Sequence, residues 1–260
     1  LAPGGTINIT NRVVMEDYKK EENGSINMLY VSEYDGTPAS LLMAKIKNYD
    51  IESNKERQIS NETIKEINKR NKIMRDNSLD IATMVAYTEA GKKIDIKNRK
   101  NVVVATTIDN GLEIGDEIIT VDNVKCEEVA DIKKQINSKE ENDIITFKIL
   151  REKKEKEIKS KVLLEGTNKI VGAVIITEYD YEINPQIDIK FKNSESGASG
   201  GLMLALTIYN AITEDDIIKG RTIAGTGTIS LDGTVGEIDG IKYKIMGAAK
   251  NKVDIVFVPS

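Results

Sequence analysis

Residues 202–212 read Leu-Met-Leu-Ala-Leu-Thr-Ile-Tyr-Asn-Ala-Ile. A helix over this run is apolar nearly all round, so it has to be buried on every side. A chain that buries a whole helix must build layers around it. The flanking sequence supplies them. Ile170–Ile176 reads as a buried strand and Gln186–Phe191 as another, and Thr222–Leu231 reads as a third. Asp232-Gly233 is a turn, Ile241–Asn251 a second helix and Val253–Val258 a last strand. From Lys169 onward the pattern is α/β.

The rest of the chain has a different texture. Ile7–Val14 and Ser25–Val31 alternate like strands, and Ala39–Lys47, after Pro38, reads as a short helix. Residues 52–79 are polar, with Ile59, Ile64, Ile67 and Ile73 loosely at helical spacing. Ser78–Ala90 adds Leu79, Ile81, Met84 and Val85, so 60–90 is expected to form one or two exposed helices. The middle third orders as strand (Asn101–Ile108), strand (Asp116–Val121), helix (Val129–Ile136) and a hairpin (Ile144–Arg151 with Glu157–Leu164). That order, with the run Gly111-Leu112-Glu113-Ile114-Gly115-Asp116-Glu117-Ile118-Ile119-Thr120-Val121-Asp122, resembles a bacterial PDZ domain.

Composition narrows the chemistry more than the fold. Of 260 residues, 40% are hydrophobic and 30% charged, enough apolar material for real cores. The net charge of −5 argues against a broad nucleic-acid surface. There is no histidine, which removes Ser–His–Asp triads, Cys–His pairs and His-ligated metals. The single cysteine, Cys126, forms neither an internal disulfide nor a cysteine zinc site. A hydrolase made of these residues uses Ser or Thr with Lys, or a pair of carboxylates. No cofactor or metal is expected. No run of 18 apolar residues occurs in this sequence.

Ser196-Gly197-Ala198-Ser199-Gly200-Gly201 stands directly before the buried helix. Glycines there let the backbone turn sharply and let a substrate come close. The first turn of a helix presents unpaired N–H groups and a positive dipole end, both suited to an oxyanion. The same serine would also serve as an ordinary N-cap. Without histidine its base must be a lysine or a carboxylate, and a lysine works only where burial keeps it neutral. Lys242 and Lys244 both lie beside the apolar face that Ile241, Ile245, Ala248 and Ala249 make, and spacing does not choose between them.

Three stretches together carry a resemblance. Ser199-Gly200-Gly201-Leu202-Met203, Ile223-Ala224-Gly225-Thr226-Gly227-Thr228-Ile229 and Val235-Gly236-Glu237-Ile238-Asp239-Gly240-Ile241-Lys242-Tyr243-Lys244 resemble the proteolytic domain of the Lon family, in the family's order. The resemblance implies Ser199 as nucleophile and Lys244, the second lysine of its motif, as base. It further implies Thr226 as the residue orienting the lysine, with Ala198 and Gly200 supporting the oxyanion turn. The family's motif has Pro where this chain has Ala198, and Ala where it has Gly200. The opening Pro3-Gly4-Gly5, Tyr30-Val31-Ser32 and Met84-Val85-Ala86 are similar to bacterial membrane-anchored proteins that join a PDZ domain to a Lon-like protease without its ATPase.

The expected architecture is a multidomain α+β chain. Residues 1–95 form a β-rich region with a helical insert, 96–166 a PDZ-like domain, and 167–260 a Lon-type α/β proteolytic domain with an incomplete C-terminus. The resemblance implies an ATP-independent serine endopeptidase acting on protein or peptide substrates. It also implies an upstream membrane anchor, an extracytoplasmic location and homo-oligomers. A PDZ-type peptide binder with an inactive protease-like domain is the alternative, and a carboxylate-based hydrolase a weaker one. No Walker-type G-x-x-x-x-G-K-[ST] run occurs in these residues.

Overall fold

The computed structural model of the chain describes residues 1–15, 23–51, 62–190 and 198–259. The expected positions Ile59, Phe191, Ser196 and Gly197 lie outside these residues. The chain opens with β1 (Ala2–Asn8), β2 (Val13–Met15), β3 (Ser25–Ser32), α1 (Pro38–Lys47) and α2 (Ile64–Glu89). The middle holds β4 (Lys93–Thr106), β5 (Glu117–Val121), β6 (Val124–Lys125), α3 (Val129–Asn137), β7 (Ile144–Arg151) and β8 (Lys154–Lys161). Then follow β9 (Leu163–Glu165), β10 (Asn168–Ile170), β11 (Ala173–Asn184) and β12 (Ile187–Ile189). The last part holds α4 (Gly201–Ile212), β13 (Thr222–Gly225), β14 (Thr228–Ile229), β15 (Val235–Gly236), α5 (Ile241–Lys250) and β16 (Ile255–Phe257).

Two compact units emerge. One comprises residues 1–53, 78–95 and 183–260, and the other 54–77 and 96–182. In the first, a sheet of order β1-β3-β13-β16 is antiparallel at β1/β3 and parallel across β3, β13 and β16. Side chains alternate along these strands. Ile26 and Ile223 point to a core shared with Ala82, Ala86, Tyr87, Met203 and Ile208, so α4 and the end of α2 cover that face. Leu29 and Ala224 point the other way, onto Ala248 of α5. β1 and β3, expected within a region of their own over 1–95, therefore share one sheet with β13 and β16, while β2 pairs with β12. Parallel neighbours need not be close in sequence, because a long connection must separate them.

The helix expected at 60–90 is one helix, and its second half is not exposed. Ile81, Ala82, Met84, Val85, Ala86 and Tyr87 are all buried. Of these, Ala82, Ala86 and Tyr87 pack into the core of the first unit. Buried α4 satisfies its polar groups locally. Thr207 donates to the Met203 carbonyl at 2.7 Å, and Asn210 accepts from the Ile217 N–H at 3.0 Å. The strand expected at 222–231 is broken after Gly225, and Gly227 has φ +152. An added Cβ on Gly227 would come within 2.7 Å of Val235, so only glycine fits this exit from the sheet.

The second unit holds the sheet β11-β4-β5-β7-β8, with β6 paired to β5. Phe147, Ile118, Val121, Ile132 and Ile149 fill its core. Asp116, buried in the turn before β5, receives a two-pronged contact from Arg151 at 2.7 and 2.6 Å. Among the described residues no helix is long and apolar enough to cross a bilayer.

Candidate active site

β13 ends at Gly225 and the chain leaves the sheet through Thr226, at the carboxyl end of a parallel strand, where open α/β sheets place their sites. The Thr226 N–H donates to the Phe257 carbonyl at 3.0 Å, tying the exit to β16. Thr226 is fully buried. Its hydroxyl donates to the Ser199 carbonyl at 2.9 Å and accepts from Lys244 Nζ at 2.9 Å. The Gly227 N–H donates to the same Ser199 carbonyl at 2.7 Å. Two donors thus fix the carbonyl of Ser199.

Ser199 sits in a short 3-10 turn, Ala198–Gly200, that leads into α4. It does not cap the helix. Gly200 is the N-cap, and no side chain makes the cap bond. The Leu202 N–H is taken by the Gly227 carbonyl at 3.1 Å, so oxyanion donors have to come from N–H groups ahead of it. The Ala198 carbonyl accepts a long bond, 3.4 Å, from the Ser78 hydroxyl on α2.

The two candidate lysines part company. Lys242 is exposed, with its ammonium 5.0 Å from the Tyr243 ring centroid. Lys244 is 5% exposed. The buried face of α5 is Tyr243, Lys244, Gly247 and Ala248, not the expected Ile241, Ile245, Ala248 and Ala249; Ile245 is 44% exposed. The difference comes from size. Gly247 lets α5 lie directly on the backbone of β1, within 3.1 Å of Gly4 for an added Cβ, and this turns the Lys244 side of the helix inward. Burial pushes the Lys244 ammonium down to about 8, against an opposing pull from the Asp239 carboxylate. A neutral amine that donates one N–H to Thr226 still has its lone pair to offer. Lys244 and Ser199 Oγ share no direct hydrogen bond; Thr226 connects the lysine to the Ser199 carbonyl.

Ser199, Gly200, Ala198, Thr226 and Lys244 are therefore gathered in one unit. Asp239 and Gly247 join the site without having been expected there. Gly247 carried a readable signal, since it stands one helical turn from Lys244. Among the described residues no cluster of His, Cys, Asp and Glu could hold a metal ion.

A buried lysine, a threonine and a serine at the mouth of a buried helix form the polar centre of an α/β unit, and a PDZ-like unit accompanies it. Residues 90–162 match the family model of the PDZ domain, and residues 189–260 match that of the Lon protease C-terminal proteolytic domain. A Lon protease of Mesomycoplasma hyopneumoniae (strain 232) is 40% identical over 65 residues, 25% of this chain and 7% of that protein. A Lon protease of Aster yellows witches'-broom phytoplasma (strain AYWB) is 33% identical over 90 residues, 34% of this chain and 11% of that protein. The chain thus joins a PDZ domain to a Lon-type proteolytic domain, and it matches only a small part of each relative's length.

Proposed function

We propose that the chain is a serine endopeptidase in which Lys244 takes the proton from Ser199. One observation carries this reading: a buried lysine, lowered to about 8, is hydrogen-bonded to a threonine that itself holds the Ser199 carbonyl. The Ser199 oxygen attacks a peptide carbonyl as its proton passes to the Lys244 amine. The tetrahedral oxyanion is stabilised by N–H groups of the turn before α4, helped by that helix's dipole. The resulting ammonium protonates the leaving amine, and an acyl-enzyme remains on Ser199. Water then attacks the ester, with Lys244 again as base, and Ser199 is released.

The PDZ domain supports capture of an extended peptide by strand addition. The likeness to PDZ–Lon proteins without an ATPase supports cleavage without ATP. The same likeness supports attachment to the outer face of a membrane through chain outside these residues, to be tested by fractionating the full-length protein. The test of the catalytic reading is cleavage of an unfolded protein without nucleotide, comparing wild type with Ser199→Ala and Lys244→Ala. Cleavage lost in both variants supports it. Undiminished cleavage by Ser199→Ala refutes it.

A further inference from the structure

Gly200 has a missing side chain that its backbone does not require. Its φ of −94 and ψ of −5 lie at the bridge beside the helical region, which residues with side chains also adopt in turns. What a Cβ there would meet is Met28 of β3. An added Cβ would stand 2.1 Å from the Met28 methyl, 3.2 Å from its sulfur and 3.9 Å from its Cγ. The hard contact is with the flexible terminal methyl, and the sulfur would also have to give by a few tenths of an ångström, while the Cγ is at ordinary contact distance. Met28 pairs with Gly225 across β3 and β13, and the Cβ position of Gly225 is filled in turn by the Met203 sulfur, 2.5 Å away. The side chains of Met28 and Met203 therefore occupy the space that Gly200 and Gly225 leave vacant. Those glycines flank the Ser199 carbonyl link to Thr226.

We propose that Met28 is a positioning residue for the nucleophile: its thioether, seated against Gly200, sets the height of the Ser199 turn relative to Thr226 and Lys244. The inference rests on the reading of Ser199 as nucleophile. Met28 need not touch substrate to act. The carbonyl of Ser199 is pinned by Thr226 and Gly227 on one side of the turn. Met28 supports the next residue from the sheet below. With both supports in place the direction of the Ser199 side chain is fixed, and small displacements of a nucleophile are costly to rate. An unbranched, polarizable side chain suits an irregular gap of this kind.

The pairing predicts reciprocal behaviour. Gly200→Ala lifts the turn off Met28. Met28→Ala leaves the turn unsupported. Combined, the new methyl at 200 refills part of the space that Met28 gave up. The test is a cycle of wild type, both single variants and the pair in the full chain, read by two rates. One is labelling by a serine-directed acylating reagent; the other is cleavage of an unfolded protein. Each single variant is expected to lose about tenfold in labelling rate and kcat with KM within about twofold, and the pair to recover to within about threefold of wild type. Met28→Leu, which keeps most of the volume, should stay near wild type alone and should not rescue Gly200→Ala. Independent, additive losses overturn the proposal. So do single variants that melt lower yet label at the wild-type rate, because that is a purely structural contribution. If Gly200→Ala fails to fold, Met28→Ala against the pair still reads the rescue. Wild type that neither labels nor cleaves overturns the nucleophile assignment, and this inference with it. Wild type that labels while the cycle is additive overturns this inference alone.

Discussion

If Lys244 is the base, pH sets the rate through the fraction of its amine that is neutral. With the folded group at about 8, roughly a tenth is neutral near pH 7, and the fraction falls about tenfold for each further unit of acid. Between about pH 9 and about pH 6 the rate of Ser199 acylation should therefore drop roughly 90-fold, along a limb of unit slope that flattens above about pH 8. The assay is the rate of labelling by an acylating reagent across that range, with kcat/KM for an unfolded substrate alongside. Asp239 provides the control. Its carboxylate pulls the Lys244 value upward, so Asp239→Asn should move the limb to lower pH. Stability must follow the same linkage. Because the folded value lies below the ordinary 10.5, the unfolded chain holds the extra proton between the two, and folding stability climbs with pH through that window. Below about 8 the burial penalty is present in full. The gap is worth up to about 3 kcal/mol at about 1.4 kcal/mol per unit. Lys244→Met should thus be inactive yet about 1–3 kcal/mol more stable near pH 7. That advantage should fade as the pH nears 10.5. A flat rate profile, or a midpoint near the ordinary lysine value, would refute the reasoning.

Other consequences are simpler to read. Thr226→Val keeps the shape but removes both the bond from Lys244 and the bond to the Ser199 carbonyl; it should cost about 1–3 kcal/mol of stability and at least tenfold in kcat, by denaturant melts and steady-state kinetics. Gly247→Ala adds a methyl 3.1 Å from the Gly4 backbone. It should lift α5, lower kcat and lower the melting temperature, whereas the exposed Ala249→Ser should change neither. In the other unit, Arg151→Ala removes both guanidinium contacts of the buried Asp116 carboxylate and leaves it the Glu113 N–H at 2.8 Å. It should destabilise the PDZ unit by about 3–5 kcal/mol, seen as an earlier unfolding transition, without altering Ser199 labelling.

The sequence made some of this legible and hid the rest for physical reasons. The all-round apolar run at 202–212 announced α4 and its burial, and the glycines around Ser199 announced the turn before it. The choice between Lys242 and Lys244 was not legible from periodicity. An apolar count over α5 weighs Ile245 heavily and Gly247 not at all, but packing follows closeness of approach, and the glycine decides which side faces the sheet. The strand break after Gly225 was likewise hidden. Thr222–Leu231 reads as one β-rich run, and only the positive φ of Gly227, with Val235 beside it, forces the exit that brings Thr226 between Ser199 and Lys244. Pattern reasoning also treated the chain in consecutive blocks. It had no means of pairing Ile26 with Ile223, nearly 200 positions later, because parallel pairing leaves no local turn signature.

That long-range pairing sets what the Lon-type unit needs in order to exist. The stretch matching the Lon proteolytic model, 189–260, contains the serine, the threonine and the lysine. It does not contain the strand beside β13, since β3 comes from residues 25–32. Nor does it contain Ile9, Ile26, Ala82, Ala86 or Tyr87, which complete the core around α4, or Gly4, against which α5 rests. Without them β13 would lose one of its two parallel neighbours, and Leu29 would no longer cover the α5 face. Lys244 would then be open to water and regain an ordinary lysine's charge. The low value of the lysine is thus a property of the whole unit. It depends on chain that precedes the PDZ domain as much as on chain that follows it.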